Sequence, residues 1–392
     1  MSITIEEFRA RVERVLQQHY SLRDESVDDE RLDIIMRETA GHGAAIEAAL
    51  ELQRILTDAG LVAVGQPVEY GGLGLTRDHQ AVLDELLERY DTPSIRPLGL
   101  GPTLAFHTLM RDGSEEQRRR FLPKIATGEE RWCQLFSEPD AGSDLVSLRT
   151  KAERDGDEWV INGQKVWSSY AEGAAFGMLL ARTDPDAPKP HVGITMFALP
   201  MDAQGVTVRP LVDIAGGRHF NEVFLNDVRL GDDAIIGEPN RGWQVANGTL
   251  GGERSGYLGG SGNGRRHRQA VALADRHGRL ADPVARQAIV SVIAEERILE
   301  WLRDRIVAGV VCGGNPAVGS FIKVAAGNLE QKVAELNMTL SGAAGAAWEP
   351  GEVDGNVAAH NLCASRQATV AGGTHQIQRN LIGERVLGLP RG

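Results

Sequence analysis

The stretch KAERDGDEWVINGQKVWSS, residues 151–169, decides the fold class because its apolar and polar residues alternate. Alternation with a period of two is typical of a half-buried β-strand. Two residue pairs that favour tight turns interrupt the pattern, Asp155-Gly156 and Asn162-Gly163. The stretch therefore predicts short strands that are connected by tight turns.

More strand candidates follow along the chain. They are HVGITMFALP at 191–200, VTVRPL at 206–211 and NEVFLNDVRL at 221–230. Each is short and contains β-branched or aromatic residues, as strands do. Together with the first stretch they predict a central β domain that covers residues 131–240.

Helical patterns precede this β domain. Thr4 and Glu7 form a capping box ahead of an amphipathic helix, and Ser114 with Gln117 caps a later one. Two further amphipathic helices are predicted between these caps, at about 43–59 and about 76–90. Residues 1–130 are therefore predicted to form a helical domain.

Helical spacing returns after the strands, from Gly242 onward. Asp282-Pro283 is a helix cap followed by a proline in the first turn, and it predicts the start of a long helix. Residues 241–392 are therefore predicted to form a helical bundle. The order helix, sheet, helix predicts an α+β fold with three domains.

Composition excludes several classes of function. The 392-residue chain has a net charge of -12, which argues against a nucleic-acid footprint of clustered basic residues. Its three cysteines lack CxxC spacing, and the ten histidines are scattered with no HExxH motif, so we expect no disulfide framework and no metal. No uncharged apolar run reaches the roughly 18 residues of a membrane helix, and the N-terminus lacks an apolar leader. We expect a cytoplasmic protein.

Two neighbouring stretches have residues suited to binding a ring. WCQLFSEPDAGSDL, residues 132–145, combines glycine with hydroxyl side chains, and NGQKVWSS, residues 162–169, adds an aromatic and two more hydroxyls. Such a set suits a planar heteroaromatic ring with carbonyl and nitrogen acceptors. The alternative for the first stretch is an ordinary turn, since Pro, Asp, Gly and Ser all favour tight bends.

Four motifs in this order resemble the acyl-CoA dehydrogenase family of FAD enzymes. They are SEPDAGSD at 137–144, INGQKVWSS at 161–169, NEVFLNDVRL at 221–230 and GGTHQIQRNLIGERVLGLPR at 372–391. The resemblance implies an N-terminal helical domain, a central β domain and a C-terminal four-helix bundle. It also implies α,β-dehydrogenation of an acyl-CoA thioester, with electrons passed to an electron-transfer flavoprotein.

The resemblance implies a set of FAD-binding residues. Ser137 matches a hydroxyl at the flavin ring, Trp167 the aromatic beside it, and Ser169 the hydroxyl near flavin N5. Thr374 and Gln376 match residues that meet the adenosine diphosphate part of FAD. The remaining expected cofactor residues are Gln134, Phe136, Gly142, Ser143, Ser168 and Gly373.

The position of the catalytic base departs from the commonest family pattern. Many members have a carboxylate directly before the GT of the terminal motif, where this chain has Gly372. A subgroup supplies the base from an ER pair on the first long helix of the C-terminal domain, which matches Glu253-Arg254. We therefore predict Glu253 as the base and the N–H of Gly372 as a donor to the thioester carbonyl. The alternative for Glu253 is a solvated helix carboxylate.

Glycines surround the predicted base. Gly248, Gly252, Gly256 and Gly260 recur every fourth residue, so in a helix they form one strip without side chains. Each costs about 1 kcal/mol relative to alanine, which favours an offsetting neighbour or ligand. We predict a pocket for a bulky, branched or polycyclic acyl group, with Ser143, Arg254, Gly252 and Gly256 as substrate-binding residues. The alternative is that GGERSGYLGGSGNG is simply a loop.

Oligomers and rival functions complete the expectations. The resemblance implies a homo-dimer or homo-tetramer. The segments DRHGRLADPVARQ and LSGAAGAAW depart from family elements that hold FAD across subunits, which makes a hetero-oligomer a second expectation. The rival functions are a flavin-dependent oxygenase on the same fold and a non-catalytic subunit that completes another chain's site.

Overall fold

The computed structural model describes residues 3–23, 42–259, 265–311, 315–347 and 353–390. The chain divides into two compact units. Of the described residues, 3–23 and 42–252 belong to the first unit, and those from 253 onward belong to the second. No helix in these described ranges is both long and apolar enough to cross a lipid bilayer.

Helices open the first unit. They are α1 (Ile5–His19), α2 (His42–Asp58), α3 (Arg77–Arg89), α4 (Phe106–Asp112) and α5 (Glu115–Thr127). The two predicted capping boxes are confirmed: Thr4 accepts from the N–H of Glu7, and Ser114 accepts from the N–H of Gln117. The predicted apolar faces are buried as well, with Phe8, Val12 and Leu16 packing against the neighbouring helix residues Val82, Leu83 and Leu86.

A seven-stranded sheet follows these helices in the first unit. Its strands are β1 (Trp132–Leu135), β2 (Lys151–Asp155), β3 (Glu158–Lys165), β4 (Phe176–Arg182), β5 (Ile194–Pro200), β6 (Val206–Leu211) and β7 (Phe220–Gly231). The spatial order is β1-β4-β2-β3-β7-β6, and β5 pairs with β4. β1 runs parallel to β4, whereas β2 and β3 form an antiparallel hairpin at the predicted Asp155-Gly156 turn.

The second predicted turn, Asn162-Gly163, is wrong. Both residues lie inside β3, where a bulge occurs between Ile161 and Gly163 in the pairing with β7. A Cβ on Gly163 would lie 2.3 Å from the Thr150 Oγ1, so the glycine admits a close neighbour instead of turning the chain. Because β2 and β7 pair with both edges of β3, tertiary pairing overrides the local turn preference.

Helices form the second unit. α6 (Gly242–Gly259) begins in the first unit, at the residue where helical spacing was predicted to return. The helices that follow are α7 (Arg265–Arg276), α8 (Pro283–Val307), α9 (Gly319–Ser341), α10 (Ala343–Ala347), α11 (Val353–Ala364) and α12 (His375–Leu381). The predicted cap at Asp282 is confirmed, since its side chain accepts from the N–H of Val284. Ile289 and Val292 of α8 share a buried core with Ile322 and Leu329 of α9.

Candidate functional site

The loop after β1, which contains the predicted cofactor residues Ser137, Gly142 and Ser143, is hydrogen-bonded to the residue that follows β3. Ser137 follows β1 by two residues, and its carbonyl accepts a hydrogen bond of 2.9 Å from the N–H of Val166. Phe136 is buried beside it. The Nε2 atom of Gln134 is also buried, and it has no hydrogen-bond partner among the described residues. Buried amides rarely remain unpaired, so this atom points to a missing acceptor.

The tip of the same loop is open. Glu138 and Ala141 exchange backbone hydrogen bonds of 3.0 and 3.1 Å, which closes a tight turn. Gly142 and Ser143 follow this turn and are exposed. A Cβ on Gly142 would meet nothing within 4 Å, so the space beside this glycine is free of the chain's own atoms.

A buried ion pair lies under the loop. Lys165, the last residue of β3, is fully buried, and its Nζ donates to Glu138 Oε1 at 2.8 Å and to the carbonyl of Phe136 at 3.1 Å. The Glu138 carboxylate also accepts from the backbone N–H groups of Arg149 and Thr150, at 2.6 and 2.8 Å. Each charge is therefore paired and further hydrogen-bonded, as buried charges require.

Burial and pairing shift both pKa values of this pair. Burial lowers the pKa of Lys165 to about 8, although the charge of Glu138 opposes that change. Burial also opposes ionisation of Glu138, but Lys165 and the N–H donors outweigh it and hold the Glu138 pKa below its usual value. This ion pair was not predicted from the sequence. A lysine at the last position of a predicted strand was the signal that could have revealed it.

The residues after Lys165 face the same end of the sheet. Trp167 is 59 % exposed and has a left-handed backbone, with φ of 58°. Its ring packs edge to face with Phe220 at 5.5 Å. Ser168 exchanges backbone hydrogen bonds of 3.0 and 3.1 Å with Asn221, while its buried Oγ has no partner among the residues described. Ser169 is half-buried next to it.

The first unit thus brings its predicted cofactor residues to one end of β1 and β3. The residues concerned are Gln134, Phe136, Ser137, Trp167, Ser168 and Ser169. The exposed indole of Trp167 is followed by Ser168 with its unpaired hydroxyl, and Gln134 of β1 has an unpaired amide N–H. This combination can stack against a flat ring and donate to its polar edge.

The predicted glycine residues of the second unit form a left-handed bend. Gly372 has φ of 64° and Gly373 has φ of 92°, values that favour glycine. Thr374 follows and caps α12 by accepting from the N–H of Ile377 at 3.3 Å. Gln376 is exposed on the first turn of this helix.

The bend leaves backbone donors available. The N–H groups of Gly372, Gly373 and Thr374 make no hydrogen bond to any residue in the described part of the chain. The carbonyl of Gly372, by contrast, accepts from the Nε2 of Gln378 at 2.9 Å. Successive free N–H groups in such a bend suit a carbonyl or phosphate oxygen.

A buried histidine lies behind this bend. His375 is buried, and a Cβ on Gly327 of α9 would lie 2.6 Å from its Nε2. Burial lowers the pKa of His375, and the charges of Lys323 and Arg379 lower it further. The imidazole is therefore neutral at pH 7. His375 was not predicted as a site residue, because the ten histidines are scattered along the sequence.

The predicted base lies on a helix. α6 extends through Gly252, Glu253, Arg254 and Gly256 to Gly259, so the loop alternative for this segment is wrong up to that point. The side chains of residues 252–259 are outside the described part of the structure, and all of Gly260 is outside it as well. The role of Glu253 stays a prediction.

One glycine of the predicted strip has a packing explanation. A Cβ on Gly248 would lie 2.0 Å from the Arg111 guanidinium, which donates to the carbonyl of Val245 at 2.9 Å. On the next residue, Thr249 Oγ1 lies 2.8 Å from Thr108 Oγ1. Because Gly248 has no side chain, Arg111 of α4 occupies the space beside it, and no ligand is needed to explain this glycine.

A groove lies elsewhere in the first unit. It has a volume of about 460 Å³ and is lined in part by Gln117, Arg154, Trp159 and Asp232. None of the predicted site residues lines it. The described residues also contain no cluster of His, Cys, Asp and Glu side chains that could hold a metal ion.

Three family models match nearly the whole chain. They describe the N-terminal domain of acyl-CoA dehydrogenases at residues 4–129, the middle domain at 133–228 and the C-terminal domain at 240–387. The chain is also 37% identical to the acyl-CoA dehydrogenase IpdE1 of Mycolicibacterium smegmatis, across 99% of each chain.

Solved structures agree with these matches. A steroid acyl-CoA dehydrogenase named Tcur3481-Tcur3483 is 27% identical, with a TM-score of 0.77 over 99% of this chain and 98% of that one. The ChsE4-ChsE5 complex of Mycobacterium tuberculosis is 28% identical, with a TM-score of 0.73 over 100% of both chains.

The chain therefore belongs to the acyl-CoA dehydrogenase family. It is an oxidoreductase that acts on acyl-CoA. The resemblance drawn from the four motifs is confirmed, and so is the predicted α+β fold class with its central β domain between helical domains.

Proposed function

We propose that this chain uses FAD to dehydrogenate the α,β-bond of an acyl-CoA thioester with a bulky acyl group. In this proposal the chain has three domains, residues 1–130, 131–240 and 241–392, and acts in the cytoplasm. The observation that carries the proposal is that two predicted cofactor residues have unpaired buried groups, Gln134 Nε2 on β1 and Ser168 Oγ directly after the exposed Trp167.

These residues fit the flavin part of FAD. Gln134 offers an N–H donor, Ser137 and Ser169 offer hydroxyls, and Trp167 offers a flat apolar face. Gly142 and Ser143 leave open space at the loop tip. The free N–H groups of Gly373 and Thr374 suit phosphate oxygens. Gln376 would also contact the adenosine diphosphate part of FAD. Bound FAD would accept a hydride from the β-carbon of the acyl group.

Glu253 is proposed to take the α-proton. Gly372 occupies the position where many relatives have their carboxylate, and a glycine cannot accept a proton there. Glu253 lies in α6, at the position that the ER subgroup uses. Apolar surroundings would raise the pKa of this carboxylate toward the working pH and suit it to act as a base.

Gly372 is proposed to stabilise the negative charge that develops on the thioester oxygen. Its N–H has no partner among the described residues, so it is available to the thioester carbonyl. A donor that is fixed before the reaction lowers the energy of the enolate-like transition state.

The bulky acyl group is supported by relatives and by the glycine pattern. Tcur3481-Tcur3483 is titled a steroid acyl-CoA dehydrogenase. In this chain Gly252 and Gly256 lie on the helix that carries Glu253, and Arg254 adds a positive charge suited to CoA phosphates. We therefore propose that a ring-bearing acyl group binds along this helix, with Ser143, Arg254, Gly252 and Gly256 as substrate-binding residues.

The proposed partners are an electron-transfer flavoprotein and further subunits. ChsE4-ChsE5 is titled as a complex of two named components. A homo-dimer or homo-tetramer is the first arrangement for this chain, and a hetero-oligomer is the second. The segments DRHGRLADPVARQ and LSGAAGAAW, which depart from family elements that hold FAD across subunits, favour the rival role of a subunit that completes another chain's site.

Anaerobic flavin bleaching tests the proposal. The chain is purified alone, its FAD content is measured, and acyl-CoA thioesters with straight or ring-bearing acyl groups are added without oxygen. The expected result is a yellow protein that ring-bearing thioesters bleach fastest. A protein that never holds flavin would support the partner-subunit role. Product formed only with oxygen, without bleaching by thioesters, would support the oxygenase.

A further inference from the structure

A buried glutamine holds the carbonyl of the proposed thioester-binding glycine. Gln378 of α12 is fully buried, and its Nε2 donates to the Gly372 carbonyl at 2.9 Å. A Cβ on Gly373 would lie 2.7 Å from the same nitrogen, so the amide packs directly against the bend. Glycine at position 373 leaves room for this contact.

The bend is held on both sides of the Gly372 N–H. On the N-terminal side, Ala371 donates its N–H to the carbonyl of Gln367 at 2.9 Å. On the C-terminal side, Gln378 holds the Gly372 carbonyl. Glycine has the most conformational freedom of any residue, so an unanchored Gly372 would sample many directions. The Gly372 N–H shares its peptide plane with the Ala371 carbonyl, and with the planes on either side fixed it keeps one direction unless that single peptide flips.

The orientation of the Gln378 amide follows from its contacts. Its Oε1 is buried and has no hydrogen-bond partner among the described residues. Turning the amide over would bring Oε1 against the Gly372 oxygen, where two acceptors repel, and would lose the only described hydrogen bond of this side chain. Nε2 therefore stays on Gly372.

We propose that Gln378 is a positioning residue that aims the N–H of Gly372 at the thioester carbonyl. This inference rests on the proposed function. Gln378 does not touch the substrate in this account; it acts only through the backbone of Gly372. The competing explanation is a purely structural role, in which the amide stabilises the bend and has no effect on the reaction.

Three variants of the FAD-loaded protein separate these roles. Q378M removes the donor and keeps the side-chain length, and Q378E, assayed at a pH at which the new carboxyl is ionised, keeps the shape but replaces the donor with a group that only accepts. Q331M is the matched control, because Gln331 of α9 also donates from Nε2, at 3.3 Å, but to the Thr369 hydroxyl outside the bend. FAD content and thermal unfolding report on the fold of each variant.

The two readouts are specific to the thioester. The first is the limiting rate of anaerobic flavin reduction at saturating acyl-CoA, measured with its apparent Kd. The second is the red shift of indoleacryloyl-CoA on binding, which reports polarisation of its thioester carbonyl. A misdirected donor should slow reduction about 10- to 100-fold and decrease the red shift. The apparent Kd should change less than about threefold, because the donor acts mainly in the transition state.

The outcomes distinguish the inference from the proposed function. The inference holds if Q378M and Q378E lose rate and red shift while Q331M retains both. It is overturned if either Gln378 variant, with FAD bound, reduces its flavin at the parental rate. Should Q378M fail to hold FAD, Q378E decides alone. If the parent protein itself is never bleached by acyl-CoA, the proposed function fails, and the inference fails with it.

Discussion

The ammonium of Lys165 lies 2.8 Å from the carboxylate of Glu138, and both groups are buried. The two residues are 27 positions apart and belong to the two motifs that carry the predicted flavin residues. Their ion pair fixes the loop after β1 to the end of β3. The positions of Ser137 and Trp167 therefore depend on a pair of charges that lies beneath them.

Lys165→Met should destabilise the protein. The change leaves Glu138 buried without its counter-charge, and breaking a buried pair in this way costs about 3 to 5 kcal/mol. Urea unfolding of the variant and its parent measures the difference. The control is Arg229→Met, which removes an exposed pair with Asp155 on the same sheet and should have little effect. Equal losses in the two variants would contradict the proposed importance of the buried pair.

The stability difference between parent and Lys165→Met should widen as pH rises. Burial lowers the pKa of Lys165 from 10.5 to about 8. Between these values the unfolded chain binds more protons than the folded one, so the free energy of unfolding increases with pH. The limit is about 1.4 kcal/mol per pH unit. The methionine variant lacks this contribution. Urea unfolding at about pH 7 and about pH 9.5 measures the difference, and a constant or narrowing difference would refute the prediction.

Gln134→Met should weaken FAD binding without destabilising the apoprotein. The Nε2 of Gln134 is buried without a partner among the described residues, so the apoprotein loses no hydrogen bond. If that nitrogen donates to FAD, the variant should bind it about 3- to 10-fold more weakly. Gln269→Met is the control, because its Nε2 is also buried and unpaired but lies in α7 of the second unit. Titration of each apoprotein variant with FAD measures its Kd. An unchanged Kd for Gln134→Met would show that Gln134 does not bind FAD.

Local signals in the sequence predicted the helix ends well. Ser114 and Asp282 each accept a hydrogen bond from an N–H two or three residues further along the chain. Such a cap depends only on local sequence. Asn162-Gly163 failed because the same dipeptide serves a turn or a bulge, and the choice depends on strands distant in sequence. β1 and β4 were not predicted as separate strands, since their parallel pairing joins segments about 40 residues apart.

The motifs name the residues proposed for the site but not the contacts that support each of them. Ser137, Trp167 and Thr374 belong to the quoted motifs and could be named from sequence. Lys165 and Gln378 lie inside the same motifs, yet their importance depends on burial and on which carbonyl each one reaches. Such contacts become visible only when the strands and the glycine bend are in place.

The central claim is that Glu253 removes the α-proton, and anaerobic stopped-flow reduction of Glu253→Gln tests it most directly. Glutamine keeps the size of the side chain but cannot accept the proton, so FAD should stay bound while flavin reduction by acyl-CoA slows about 10²- to 10⁴-fold. Glu238→Gln, at an exposed position outside the proposed site, should reduce at the parental rate. A Glu253→Gln protein that bleaches as fast as its parent would contradict the account.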